Sequence, residues 1–132
     1  MIIQDYHSTW NVTTPAEIEA ALRKRRRAGV NSFWLGYVAG GFPAINILVK
    51  GDLAHVHYFP NEDHPGFASV AKLPVPRPNA LRVFFINPTE EIDVLNGEVI
   101  PFSDALKAAQ EFAVSATTMP KCIRWNSLVE GE

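Results

Sequence analysis

Residues 32–59 read SFWLGYVAGGFPAINILVKGDLAHVHYF, and the punctuation of this stretch decides the fold. Three β-rich runs, Ser32 to Val38, Ala44 to Lys50 and Leu53 to Phe59, are separated first by Ala39-Gly40-Gly41 with Phe42-Pro43, then by Gly51-Asp52. This is the pattern of a meander. Glycine as the first residue of a two-residue loop suits a type II′ hairpin turn, which sets Lys50 against Leu53, Leu48 against His55 and Asn46 against His57. In that register Ile45, Ile47 and Val49 share one face with Ala54, Val56 and Tyr58. Asn46, Leu48 and Lys50 share the other with His55, His57 and Phe59. The first, uniformly apolar face is the predicted core.

Upstream of the meander lies a well-signalled helix. Thr14 can cap its first turn, Pro15 stands where a missing N–H costs nothing, and Glu17 completes a Thr-x-x-Glu capping box. Ile18, Ala21 and Leu22 make a narrow apolar stripe, Glu19 and Arg23 are spaced as a surface ion pair, and Gly29 is the expected stop. The basic run Arg23, Lys24, Arg25, Arg26 and Arg27 then falls in the last turn, where cations offset the negative helix end and solvate that face.

Downstream, Pro60 to Ala80 is a long excursion holding Pro60, Pro65, Pro74, Pro76 and Pro78, with room for a short strand around Ala68 to Leu73. Loops of this length in compact domains are often functional. Leu81 to Ile86 reads as a fourth strand, Asn87-Pro88 as a turn, Thr89 to Val94 as another short strand and Asn96-Gly97 as a second turn. Val99 to Phe102 then leads into a second helix. It has Ser103 as cap and a stripe of Ala105, Leu106, Ala109, Phe112, Ala113 and Ala116, opposite Asp104, Lys107, Gln110 and Glu111. Thr117, Thr118 and Pro120 end it, and Cys122 to Trp125 reads as a closing strand before a short polar tail. The expectation is an α+β fold: a mostly antiparallel sheet with two amphipathic helices packed on it.

Size and composition agree. With 132 residues, 47% hydrophobic and 20% charged, the chain suits a single domain spanning 1–132 and argues against disorder or low complexity. One cysteine, Cys122, leaves no internal disulfide and fits a reducing, cytoplasmic setting. No apolar run approaches the ~20 residues of a membrane span, and Met1 to Tyr6 lacks a signal peptide's basic start and apolar stretch. Twelve Lys and Arg against 14 Asp and Glu give a formal charge of −2, which is no nucleic-acid binder's footprint.

Catalytic patterns are sparse. His55-x-His57, followed by Glu62 and His64, has spacing that can bind a transition metal and matches part of the first metal motif of cupin barrels. A barrel of that kind needs a further histidine from a later strand, and no histidine follows His64; His7 is the only other candidate. The alternative is that His55 and His57 simply occupy the more polar sheet face beside Asn46. There is no Gly-x-Ser-x-Gly elbow, Cys-x-x-Cys, glycine-rich phosphate loop or His-Glu-x-x-His. Cys122, next to Ile123, reads as a small apolar residue rather than a nucleophile. Glu62 with Asp63, and Glu90 with Glu91, are neighbours that splay apart, better suited to docking on a basic protein surface than to acid–base work.

The C-terminal segment from Phe112 through Pro120 to Cys122-Ile123-Arg124-Trp125 resembles the signature of the first-numbered immunity family of bacterial polymorphic toxin systems. Asn31-Ser32-Phe33-Trp34-Leu35, Gly41-Phe42-Pro43-Ala44-Ile45-Asn46-Ile47, Lys50-x-Asp52 and the strand through His57-Tyr58 resemble the immunity partners of double-stranded-DNA cytosine deaminase toxins. Pro65-Gly66-Phe67 and the Val99-Ile100-Pro101 approach to the second helix suit the wider family, so the likeness runs from Thr14 to Leu128. Trp125, Phe42-Pro43 and Phe112, which carry much of it, read as fold-specifying.

The resemblance implies a non-enzymatic, cofactor-free inhibitor that neutralises a cognate toxin domain, a nucleic-acid deaminase or nuclease, by covering its active site in a 1:1 complex. A toxin acting on nucleic acid presents a basic groove. The partner-binding residues expected here are therefore Asn61, Glu62, Asp63, His64 and Phe67 of the excursion, inserting towards the toxin's site, with Glu90, Glu91 and Asp93 at the rim. Two rivals stay open: a small metal-dependent enzyme using His55, His57 and Glu62, and a regulatory protein-interaction module of the same fold.

Overall fold

A computed structural model of the chain describes residues 1–38, 40–115 and 118–129. Ala39 of the expected turn, Ala116 and Thr117 of the second helix's stripe and end, and residues 130–132 of the tail lie outside the described residues.

The meander forms as its alternation predicts. β3 (Val30–Gly36), β4 (Ala44–Lys50) and β5 (Leu53–Phe59) pair antiparallel, with Lys50 against Leu53, Leu48 against His55 and Asn46 against His57. Of the two turn residues Gly51 alone takes positive φ, at +58°, as the type II′ geometry demands. β3 runs two residues earlier than expected at both ends. The reason lies in Asn31: it is fully buried, its amide donates to Asp5 and to the Lys24 carbonyl, and its oxygen accepts from the Ser32 N–H. A buried side chain satisfied on both its donor and acceptor groups anchors the start of the strand.

Seven strands follow one another across the sheet in the order β10-β6-β5-β4-β3-β1-β2, with β9 pairing separately on β5. β1 (Ile2–Gln4) and β2 (Thr9–Asn11) form a hairpin that extends the β3 edge, an element invisible to the sequence reading. β6 (Phe67–Val70) realises the short strand inside the proline-rich excursion and pairs with β5 at one end. β9 (Ile100–Pro101) pairs with the other end of β5, and β10 (Arg124–Ser127) closes the sheet on β6. The closing strand thus begins two residues later than expected, leaving Cys122 in the bend before it. The two strands expected at Leu81 and Thr89 form as β7 (Leu81–Asn87) and β8 (Glu90–Leu95), but they pair only with each other, as a separate two-stranded ribbon.

α1 (Pro15–Leu22) begins with the expected capping box: the Glu17 N–H donates to Thr14 Oγ1 at 3.1 Å and Thr14 N–H to Glu17 Oε1 at 3.0 Å. Its end corrects the sequence reading. The helix stops at Leu22, not at Gly29, and the basic run lies beyond it. Arg25 Nη1 caps the Leu22 carbonyl at 2.6 Å, and Arg26 turns away to meet Asp5 at 2.7 Å. Gly29 instead completes a 3-10 turn, Arg27–Gly29, that feeds β3. The Asp5 side chain is fully buried. Burial pushes its carboxyl up, but the hydrogen bonds from Asn31, His7, Arg26 and Ser8 outweigh that and hold it below the ordinary carboxylate value. Arg26 is therefore a structural tie between α1 and the β1–β2 hairpin, not part of a solvated face.

α2 (Phe102–Val114) buries Phe102, Ala105, Leu106, Ala108, Ala109 and Phe112. Pro101 holds the cap position rather than Ser103, because the Phe102 N–H already donates to the Asp52 carbonyl at 2.7 Å and needs no side-chain cap. Both helices lie on the first sheet face. Ile18, Leu22, Phe102 and Phe112 pack with Ile45, Ile47, Val49, Val56 and Tyr58 into one core. The fold is α+β with an antiparallel sheet, as expected.

Candidate functional site

The second sheet face divides in two. At the Lys50 end the ribbon covers it: Phe84 and Val94 pack with Leu48 and Val99 in a second, smaller buried cluster. His55 on β5, opposite Leu48, is 6% exposed. Its Nε2 stands 3.3 Å from Glu98 Oε1, and its Nδ1 is buried without a partner. His55, expected on the polar face, is therefore an interior residue beside Glu98 of the Asn96–Glu98 turn.

At the other end the face stays open and carries aromatic rings. Trp34 on β3, in register with Asn46, is 45% exposed, and its ring centroid lies 5.6 Å from that of Phe59 on β5. Phe59 in turn stacks on His57 at 4.1 Å, with the two planes 15° apart. Beside Trp34 a groove is lined by Ile2, Gln4, Val38 and Phe42, of which Val38 is 70% and Phe42 44% exposed. The ribbon tip, Ile86, Asn87 and Pro88, borders Trp34 and Gln4 from the other side.

The 61–66 loop is pinned to this open end. His57 Nε2 meets the Pro65 carbonyl at 2.9 Å. Gly66 has φ +93°, and a Cβ there would stand 2.6 Å from the Tyr58 carbonyl and 2.7 Å from His57 Nε2. Only glycine fits so close a return of the loop over β5. Burial lowers the His57 pKa, and the neighbouring His55 adds to this; the Pro65 hydrogen bond and Glu98 oppose without cancelling it. The ring is thus held neutral near pH 7.

The sequence-selected residues fall around this surface in different ways. Asn61 Oδ1 accepts the Asp63 N–H, and Glu62 and Asp63 are exposed at the loop's tip. His64 Nδ1 accepts the Gly66 N–H, and its ring stacks on Phe67 at 5.1 Å. Phe67, however, opens β6 and packs half-buried against the first-face core beside Tyr58. Glu90 accepts from Asn87 Nδ2 at 2.8 Å and so stands at the ribbon tip that borders Trp34. Glu91 and Asp93 lie farther along β8, opposite Phe85 and Val83, both exposed. The first acidic segment thus sits on the loop that the His57–Pro65 bond holds over the open end, and of the second Glu90 lies at the ribbon tip beside Trp34. Trp34, Phe42 and Val38 were not selected from the sequence. The available signal was register: extending the meander's alternation to β3 puts a tryptophan on the same face as Asn46 and His57.

No group of three or more His, Cys, Asp or Glu with metal-holding geometry occurs among the described residues. His55 turns to Glu98 rather than Glu62, and the two histidine rings stand edge-on at 6.3 Å. Burial and the nearby Glu111 raise the Cys122 thiol, which disfavours the nucleophilic thiolate. No described helix is long and apolar enough to cross a membrane.

The model of the family described as immunity protein Imm1 matches residues 7–127. The chain belongs to the Imm1 immunity protein family. Membership of an immunity protein family implies a toxin partner and a non-enzymatic role. No curated protein matches the sequence. The match spans β2 through β10, so it covers the open aromatic face and both acidic segments.

Proposed function

We propose that the chain neutralises the toxin domain encoded beside its own gene, as a cytoplasmic, stoichiometric 1:1 blocker that covers the toxin's active site during interbacterial competition. Membership of the Imm1 family carries this reading. The proposed toxin acts on nucleic acid, and the likeness of residues 31–58 to the partners of double-stranded-DNA cytosine deaminases names the preferred reaction. Such an enzyme must present a cationic groove to its substrate. Glu62 and Asp63 on one side, and Glu90, Glu91 and Asp93 on the other, supply the complementary charge, with Asn61 and His64 holding the loop and Phe67 supporting the His64 ring from behind.

Co-expression with the adjacent toxin domain tests the proposal. Growth rescue together with a 1:1 complex on size-exclusion chromatography with light scattering is the expected result. A folded chain that gives neither rescue nor complex would contradict it. Charge reversal, Glu62→Lys with Asp63→Lys, should slow association and flatten its salt dependence, because exposed rim charges act chiefly on the encounter rate.

A further inference from the structure

We infer that the toxin docks on the open half of the second sheet face, with Trp34 and Phe59 as its aromatic anchors and the two acidic segments as its rim. This rests on the immunity reading above and deepens it. The loop at 61–66 is then a wall of the surface rather than a probe inserted by itself, since Phe67 is committed to the first-face core.

Three observations point to this surface. Trp34, Phe42 and Val38 are 45%, 44% and 70% exposed around one groove, so they form a contiguous apolar patch rather than scattered single residues. The anchors are also preorganised: Trp34 on β3 and Phe59 on β5 flank β4, which pairs with both strands, and Phe59 is fixed by its stack on His57, which is itself held by the Pro65 carbonyl. A ring already locked in place loses little freedom on binding. An aromatic centre with a charged margin is, finally, the usual anatomy of a tight interface.

Charge selects the occupant. Glu62 and Asp63 are exposed on the loop that His57 holds through the Pro65 carbonyl, and Glu90 is bonded to Asn87 at the ribbon tip beside Trp34. A second copy of the chain would bring acidic rim against acidic rim, and an anionic lipid surface would be repelled in the same way. A protein with a basic, concave active site and an apolar lip is the matching partner. Arg26 and Arg27 line the adjoining depression beyond Tyr6 and His7, and Arg26 is already bound to Asp5.

The test measures binding of the purified adjacent toxin domain, in a catalytically inactive form, to wild type, Trp34→Ala, Val38→Asp and Val114→Asp by biolayer interferometry. Val114 is 87% exposed at the end of α2, in the layer that covers the first face, and serves as the control. Trp34→Ala should weaken binding about 30-fold or more and Val38→Asp about 10-fold, with Val114→Asp within about 2-fold. Val38 is so exposed that its variant keeps the test decisive even if Trp34→Ala perturbs the fold, which thermal unfolding of each variant reports. Wild-type binding with Trp34→Ala and Val38→Asp both within 2-fold would overturn the surface and leave the immunity reading standing. Failure of wild type to bind would overturn that reading and this surface with it.

Discussion

Phe33 and Trp34 are neighbours on β3, yet one has no exposed surface and the other is nearly half open. The pleat sends Phe33 to the face covered by α1 and α2, and Trp34 to the face that the ribbon covers only in part. Two large aromatic rings one residue apart therefore do different work. Phe33 contributes buried apolar area to the single core that holds both helices on the sheet. Trp34 is an aromatic ring kept on the surface, beside a groove and the ribbon tip that carries Glu90. In a domain stabilised by only about 5–15 kcal/mol, that division separates the residues whose loss unfolds the chain from those whose loss leaves it folded and changes what it binds.

Phe33→Ala should have the largest effect, about 3–5 kcal/mol, read as a collapse of the urea midpoint, because it opens a cavity under a fully closed core. Phe84→Ala should cost about 2–4 kcal/mol, less because its cluster is small and can collapse. It should also loosen the ribbon, which hydrogen exchange at β7 and β8 would reveal as lost protection there with α2 unchanged.

His57 gives a smaller, pH-dependent effect. Its folded pKa lies below the ordinary imidazole value of about 6.5, so the unfolded chain takes up this proton first as pH falls. The resulting stability is fully present above about pH 6.5 and is lost as pH drops through the folded value. Thermal melts between pH 7.5 and 5 should therefore fall less steeply for His57→Gln than for wild type; parallel curves would remove His57 from the account. Trp34→Ala should be the mildest for stability, within about 1 kcal/mol. A loss there as large as that of Phe33→Ala would erase the contrast between the two faces.

Much of this was legible in the sequence because it rested on local rules. Alternation around Gly51-Asp52 set the β4–β5 register, and Thr14-Pro15-Glu17 set the start of α1. What could not be read depended on contacts distant in sequence. Nothing near Arg26 announces that Asp5, 21 residues earlier, will capture it and draw the basic run out of the helix. The hairpin of β1 and β2 carries weak periodicity of its own and forms against β3. β7 and β8 read as strands, but no local feature says that they leave the sheet and pack Phe84 and Val94 over Leu48. The acidic halves of the candidate surface were found by charge alone. Its aromatic centre was not legible in the sequence because Phe42-Pro43 carries a fold-specifying pattern and the exposure of Trp34 depends on how far the ribbon, distant in sequence, covers the face.

Hydrogen exchange on the complex with the adjacent toxin domain reports directly which face the toxin covers. New protection is expected in the loops that frame the open face, at residues 37–38 and 40–43, at 60–66 and at 87–89, with exchange in α1 and α2 unchanged. Protection confined to the outer surfaces of the helices, with those three loops unaltered, would contradict docking on the open face.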